Sequence, residues 1–172
     1  MDDHRRVKEL FAEFKRFQDY TQVGFDDLKQ ELMDAVCAEL KIHTRIEEEL
    51  FYPAAREALD DEDLMNEAEV EHDSAKALME QIEDGDATDA MTCARFIVLS
   101  EYLDHHIKEE HEEMFPKLRK TPLDTIDLGR KMRARKEQIK AQMGMIPYDE
   151  IPSPGAGVKP SLWERLTSAR SG

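Results

Sequence analysis

Cysteine is nearly absent from this chain. Its two copies in 172 residues, Cys37 and Cys93, stand far apart and form no C-x-x-C pair. Neither a disulfide framework nor a zinc-finger site is indicated, and each thiol reads as a small core residue. Glycine and proline are scarce, seven of each. With 40% hydrophobic and 37% charged residues, the balance fits an all-helical, soluble protein with solvated outer faces. No apolar run approaches the roughly 20 residues that cross a bilayer. The opening Met1-Asp2-Asp3-His4-Arg5-Arg6 leads directly into an amphipathic pattern, with no secretory h-region, so a cytoplasmic location is expected. Positive charge is in deficit, 24 basic against 39 acidic residues for a net −15. Such a surface repels phosphate backbones, and no nucleic-acid partner is expected.

What is present is helical periodicity. Five segments show it. The first spans about Asp2–Gln18 with Val7, Leu10, Phe11, Phe14 and Phe17 on one side, and a turn follows at Thr21–Gly24. The second runs from about Phe25 to Leu59 on a stripe of Leu28, Leu32, Val36 and Leu40. The third, about Asp61–Glu83, carries Leu64, Ala68, Ala75, Met79 and Ile82. It ends at Asp84-Gly85-Asp86, where Gly85 suits a C-cap of positive φ. The fourth spans about Thr88–Arg119 with Phe96, Leu99 and Leu103; a weaker fifth spans about Asp124–Met143. These add up to an up-and-down four-helix bundle with an additional C-terminal helix and an irregular tail. Residues 1–144 form the bundle with its fifth helix. Residues 145–172 form a Pro/Gly-rich linker and a short amphipathic turn that begins with the capping box Ser161-Leu162-Trp163-Glu164. That turn is expected to dock on its own domain.

An internal repeat underlies the bundle. His43-Thr-Arg-Ile-Glu47 with Pro53 and Arg56, and His106-Ile-Lys-Glu-Glu110 with Pro116 and Arg119, both read H-x3-E-x5-P-x2-R. An aromatic residue, Tyr52 or Phe115, precedes each proline, and each copy has an upstream helix bearing one histidine, His4 or His72. Two αα-hairpins related by a pseudo-twofold axis follow.

The stripes run into polar residues. Leu40 is succeeded at helical steps by His43, Glu47, Leu50 and Ala54; Leu103 by His106, Glu110 and Met114; Ala68 by His72; and His4 heads the stripe of the first helix. Four imidazoles and two carboxylates therefore face one core. Desolvating a carboxylate costs several kcal/mol when nothing compensates it, and two facing each other raise one another's pKa. A pair of divalent cations relieves both problems. An i, i+4 His/Glu pair places both donors on one helix face, about 6 Å apart along the axis.

Asp3-His4-Arg5, His43-x3-Glu47, Glu71-His72 and His106-x3-Glu110 with Phe115-Pro116 together resemble the hemerythrin superfamily, in the branch of HHE cation-binding domains, over about residues 1–120. The resemblance implies a pair of iron ions with an oxo or hydroxo bridge. It places Glu47 and Glu110 between the irons, His4 and His43 on one, and His72 and His106 on the other. The small ligand it implies is oxygen, peroxide or nitric oxide, for sensing, storage or detoxification; simple binding and oxygen- or peroxide-reactive chemistry both stay open. Oxygen-carrying relatives have a further histidine one turn after the third-helix ligand. Lys76 stands there instead, which disfavours reversible oxygen carriage and leaves an open position that Glu69 could fill.

Off the stripe, His105 reads as a surface residue and His111 as surface, with a place beside the site or as a substitute ligand for the position vacated at Lys76 as the alternative, while Tyr52 and Tyr102 read as core packing rather than metal contacts. Two other functions compete. A ferritin-like di-iron oxidase would need two Glu-x2-His motifs, and only Glu69-x2-His72 is present. A metal-free helical interaction module would use the Leu162/Trp163 tail and be indifferent to Glu47 and Glu110.

Overall fold

The computed structural model describes residues 2–18 and 25–143. All regular structure among them is helical: α1 (Asp2–Phe17), α2 (Phe25–Ile46), α3 (Tyr52–Ala58), α4 (Glu62–Glu83), α5 (Ala90–Glu109), α6 (Phe115–Leu118) and α7 (Thr125–Gln142). Two π-helical turns, Glu47–Phe51 and Glu110–Met114, join α2 to α3 and α5 to α6, so each long sequence-stripe helix is one rod with a wide turn inside it. The expected turn at Thr21–Gly24 and everything from residue 144 onward, including the expected Pro/Gly-rich linker and the amphipathic turn at Ser161-Leu162-Trp163-Glu164, lie outside the described residues. No helix among the described residues is long and apolar enough to cross a membrane.

Aspartates set the helix starts. Asp61 accepts from the Leu64 N–H, Asp89 from those of Met91 and Thr92, and Asp124 from those of Ile126 and Asp127. Each satisfies backbone donors that the first turn leaves orphaned. Gly85 departs from expectation. It does not take a positive φ; a β-carbon there would lie 2.1 Å from Oγ1 of Thr92. Close approach of the α4–α5 connection to α5 requires the glycine.

α1, α2, α4 and α5 form the bundle, α1 packing on α2 and α4 on α5. Two apolar clusters fill it. One contains Phe14, Leu32, Val36, Met79 and Phe96; the other contains Phe51, Ala55, Met65, Met114 and Leu118. The six polar stripe residues form a layer between them. Cys37 is buried in the first cluster, and Cys93 packs partly buried against it.

The π turns correct the expected stripe. Within them the N–H of Tyr52 donates to the Glu47 carbonyl and that of Phe115 to the Glu110 carbonyl, five residues back rather than four. Pro53 and Pro116 come next in sequence. A helical proline has no N–H to donate, and its ring collides with the carbonyl four residues earlier. An extra residue in the preceding turn relieves that collision while the rod continues. It also rotates the following side chains by one position. Phe51, Tyr52 and Ala55 are buried, whereas the expected Leu50 and Ala54 are only partly so.

α7 lies against α2 and the first π turn. Ile139 is buried on Ile42 and Ile46. Arg135 donates to Glu49 at 2.6 and 3.1 Å, Lys136 pairs with Asp3, and Lys136 and Lys140 reach the buried Glu39 at 3.5 and 3.3 Å.

Candidate metal centre

Each helix of the bundle delivers its polar residue to the same layer. His4, His43, Glu47, His72, His106 and Glu110 are all buried, Glu110 completely. Nε2 of His4 and Nε2 of His43 are 3.3 Å apart. Oε2 of Glu47 lies 3.2 Å from Nε2 of His43, 3.3 Å from Nε2 of His72 and 4.0 Å from Nε2 of His106. Glu110 approaches from the other hairpin, Oε2 3.5 Å from Nε2 of His4 and Oε1 3.9 Å from Nε2 of His106. The donor atoms fall into two groups within cation-binding reach, His4/His43/Glu47 and Glu47/His72/His106, with Glu47 common to both.

The layer is unsatisfied as protein alone. Oε2 of Glu47, both oxygens of Glu110, Nε2 of His106 and Nδ1 of His4 are buried and accept or donate no hydrogen bond. Buried polar groups are normally paired. Burial pushes the Glu47 carboxyl up to about 8 and raises Glu110 well above the usual carboxylate range, with the Glu47 charge adding to the effect at Glu110. Burial lowers the His4 imidazole to about 4 and also lowers His43 and His72. At His106 burial pulls downward, but the Glu71 hydrogen bond and the charges of Glu110 and Glu47 outweigh it, and its pKa is raised. Imidazole nitrogens and carboxylate oxygens gathered in one buried layer, several of them without a hydrogen-bond partner, are the donor set that a cation pair takes.

Two carboxylates outside the layer hold the histidines in place. Nδ1 of His72 lies 3.2 Å from Oε1 of Glu48, and Nδ1 of His106 lies 2.9 Å from Oε2 of Glu71. An ionised carboxylate only accepts, so each Nδ1 carries the proton and each Nε2 keeps its lone pair toward the layer. Sequence reasoning missed both functions, although each glutamate is adjacent in sequence to a stripe residue. Lys76, the departure from the five-histidine pattern, holds Glu48 at 2.9 Å and Asp73 at 2.9 Å.

Of the two readings of Glu69, filling the position beside His72 or standing in solvent, it takes the second; its carboxylate is on the surface and pairs with Arg56 at 2.8 Å. Two secondary expectations are corrected. Tyr52 is buried, and its hydroxyl is 2.8 Å from Nε2 of His72, inside the site rather than merely packed. The π turn is what carries it there. Tyr102 is not core, being 48% exposed. His105 is on the surface as expected, paired with Glu71 and Glu109. His111 is exposed, its ring centroid 6.0 Å from that of His4 and 5.3 Å from that of Phe115.

Two cavities adjoin the layer. One, about 20 Å³, lies against His43, His72 and His106 and is otherwise bounded chiefly by Leu40, Met79, Leu99 and Leu103. The other, about 350 Å³, adjoins His4, His43 and Glu47 and is bounded on its far side by α7.

Residues 1–118 match the family described as the hemerythrin HHE cation binding domain. The fold is similar to the crystal structure of a hemerythrin HHE cation binding domain-containing protein, an Rv2633c homolog from Mycobacterium kansasii. The TM-score is 0.64 at 25% identity, over 82% of this chain and 84% of that one. No curated protein sequence matches the chain.

Proposed function

Since this chain belongs to the hemerythrin HHE cation-binding domain family, we propose that its layer of buried donors holds two iron ions and binds or reacts with oxygen, peroxide or nitric oxide. His4 and His43 would hold one ion and His72 and His106 the other, with Glu47 and Glu110 as the carboxylates that both would share. The observation that carries this reading is the set of buried, unpartnered oxygens of Glu47 and Glu110 among four imidazole nitrogens. Iron among His and carboxylate donors supplies exchange of electrons with a small oxidant.

The chain's own residues supply the rest. Glu48 and Glu71 fix the tautomers of His72 and His106. The Tyr52 hydroxyl stands beside Nε2 of His72, where it can donate a hydrogen bond to a ligand oxygen or ligate in place of the missing histidine. The small cavity beside His72 and His106 has room for a molecule of diatomic size, and its apolar wall favours an uncharged one.

Metal analysis with an optical spectrum tests the proposal. About two irons per chain and near-ultraviolet charge-transfer bands that respond to azide are expected. A colourless protein that takes up no iron on anaerobic reconstitution would overturn it.

A further inference from the structure

The two halves of the repeat are not equivalent, and the difference opens one side of the layer. In the first copy, Tyr52 sends its hydroxyl to the site and Arg56 is tied to Glu62, Asn66 and Glu69. In the second copy, Phe115 replaces the tyrosine and has no hydroxyl to send. Arg119 replaces Arg56, and its guanidinium makes no ion pair or hydrogen bond among the described residues. Both changes fall on the 350 Å³ cavity beside His4 and His43. Its walls are largely Phe51, Phe115, Leu118, Leu128 and Met132; buried His4, His43 and Glu47 mark its inner end, with Asp3, neutralised by its pairing with Lys136, beside them, and exposed Arg119 and Thr125 its outer edge.

Gly129 supports a built cavity. It sits inside α7, where glycine costs about 1 kcal/mol relative to alanine. A β-carbon added there would meet nothing within 4 Å, so no close contact demands it. Its effect is to leave the α7 wall of the cavity bare. The volume exceeds what a diatomic needs and lies within the range of small-molecule pockets.

We propose that this cavity binds a small organic monocarboxylate, its acid group held by Arg119 and its apolar ring or short alkyl chain lying along α7 toward His4 and His43. A guanidinium with no side-chain partner among the described residues, at the edge of an apolar cavity, selects an anionic head on an apolar body. The inference rests on the metal-site reading only in placing that ligand beside a cation position.

The test uses the full chain, as purified and after metal removal, with octanoate titrated calorimetrically and metal content measured on the same samples. Octanoate is expected to bind in both states. Gly129→Leu, which fills the cavity with a better helix former, is expected to abolish binding, and Gly129→Ala to retain it. Arg119→Ala is expected to weaken binding about tenfold. Octylamine, the same chain with opposite charge, is expected to bind more weakly than octanoate. Absence of octanoate binding, equal binding by Gly129→Leu, or equal binding of octylamine would overturn the proposal. Trp163, the single tryptophan, reports on competition by the chain's own C-terminal segment: its emission is expected to stay unchanged, and a shift on adding octanoate would make that segment the occupant and overturn the proposal. Protein that takes up no iron on anaerobic reconstitution yet binds octanoate would count against the metal reading alone; two-iron protein that does not bind it would count against this inference alone.

Discussion

Oε2 of Glu71 lies 2.9 Å from Nδ1 of His106, although Glu71 is on α4, next to His72, and His106 is on α5. The residue beside one layer histidine thus orients another across the hairpin. Partial burial raises the Glu71 carboxyl, but the His106 hydrogen bond together with the charges of His106 and His105 outweighs it and keeps Glu71 below its usual range, ionised at neutral pH. Glu71→Gln is expected to leave the helices intact and lower metal affinity about 10- to 100-fold, measured by competition with a chelator. Unchanged affinity would mean that the pair is structural.

Glu47→Leu removes a carboxyl that is costly to bury and has an unpartnered oxygen. The variant is expected to lose metal binding while the metal-free protein is as stable as its parent or more so, by thermal denaturation. A strongly destabilised metal-free variant would show that Glu47 has a protein partner.

The metal-free protein is expected to lose stability between pH 6.5 and 8. Glu47, raised from 4.5 to about 8, contributes stability below pH 4.5 that disappears as pH rises through 8. His4, lowered from 6.5 to about 4, acts oppositely, but its contribution is complete above 6.5. His106, raised above 6.5, adds to the decline. Melting temperatures across that window check the sign, and Glu47→Gln should flatten the slope. Metal-loaded protein should instead weaken in mild acid, where protons compete for the imidazoles.

Tyr52→Phe removes the hydroxyl facing His72 and creates no large void. Metal content is expected to persist, stability to change by about 1 kcal/mol, and the azide-dependent spectrum to shift. An identical azide titration would place the hydroxyl outside the ligand's reach.

Ile139→Ala, at the point where α7 is buried on α2, is expected to cost about 2–4 kcal/mol in denaturant unfolding. Protection of α7 amides from exchange should fall first, since Ile139 is its one fully buried side chain among the described residues and its remaining anchors are the partly buried Leu128 and Met132 and ion pairs such as Arg135 with Glu49.

The bundle and the six polar residues of its central layer were legible in the sequence, because helical periodicity is local and a buried carboxylate in an apolar stripe is conspicuous. The order His4, His43-x3-Glu47, His72, His106-x3-Glu110 brought the family into view for the same reason. What the fold alone decided depends on a one-residue change of register or on contacts between helices. The π turns before Pro53 and Pro116 bury Phe51 instead of Leu50 and carry the Tyr52 hydroxyl to His72. The reach of Glu48 and Glu71 to neighbouring helices and the pairing of Glu69 with Arg56 are set by distances across the bundle, which no spacing along one helix encodes.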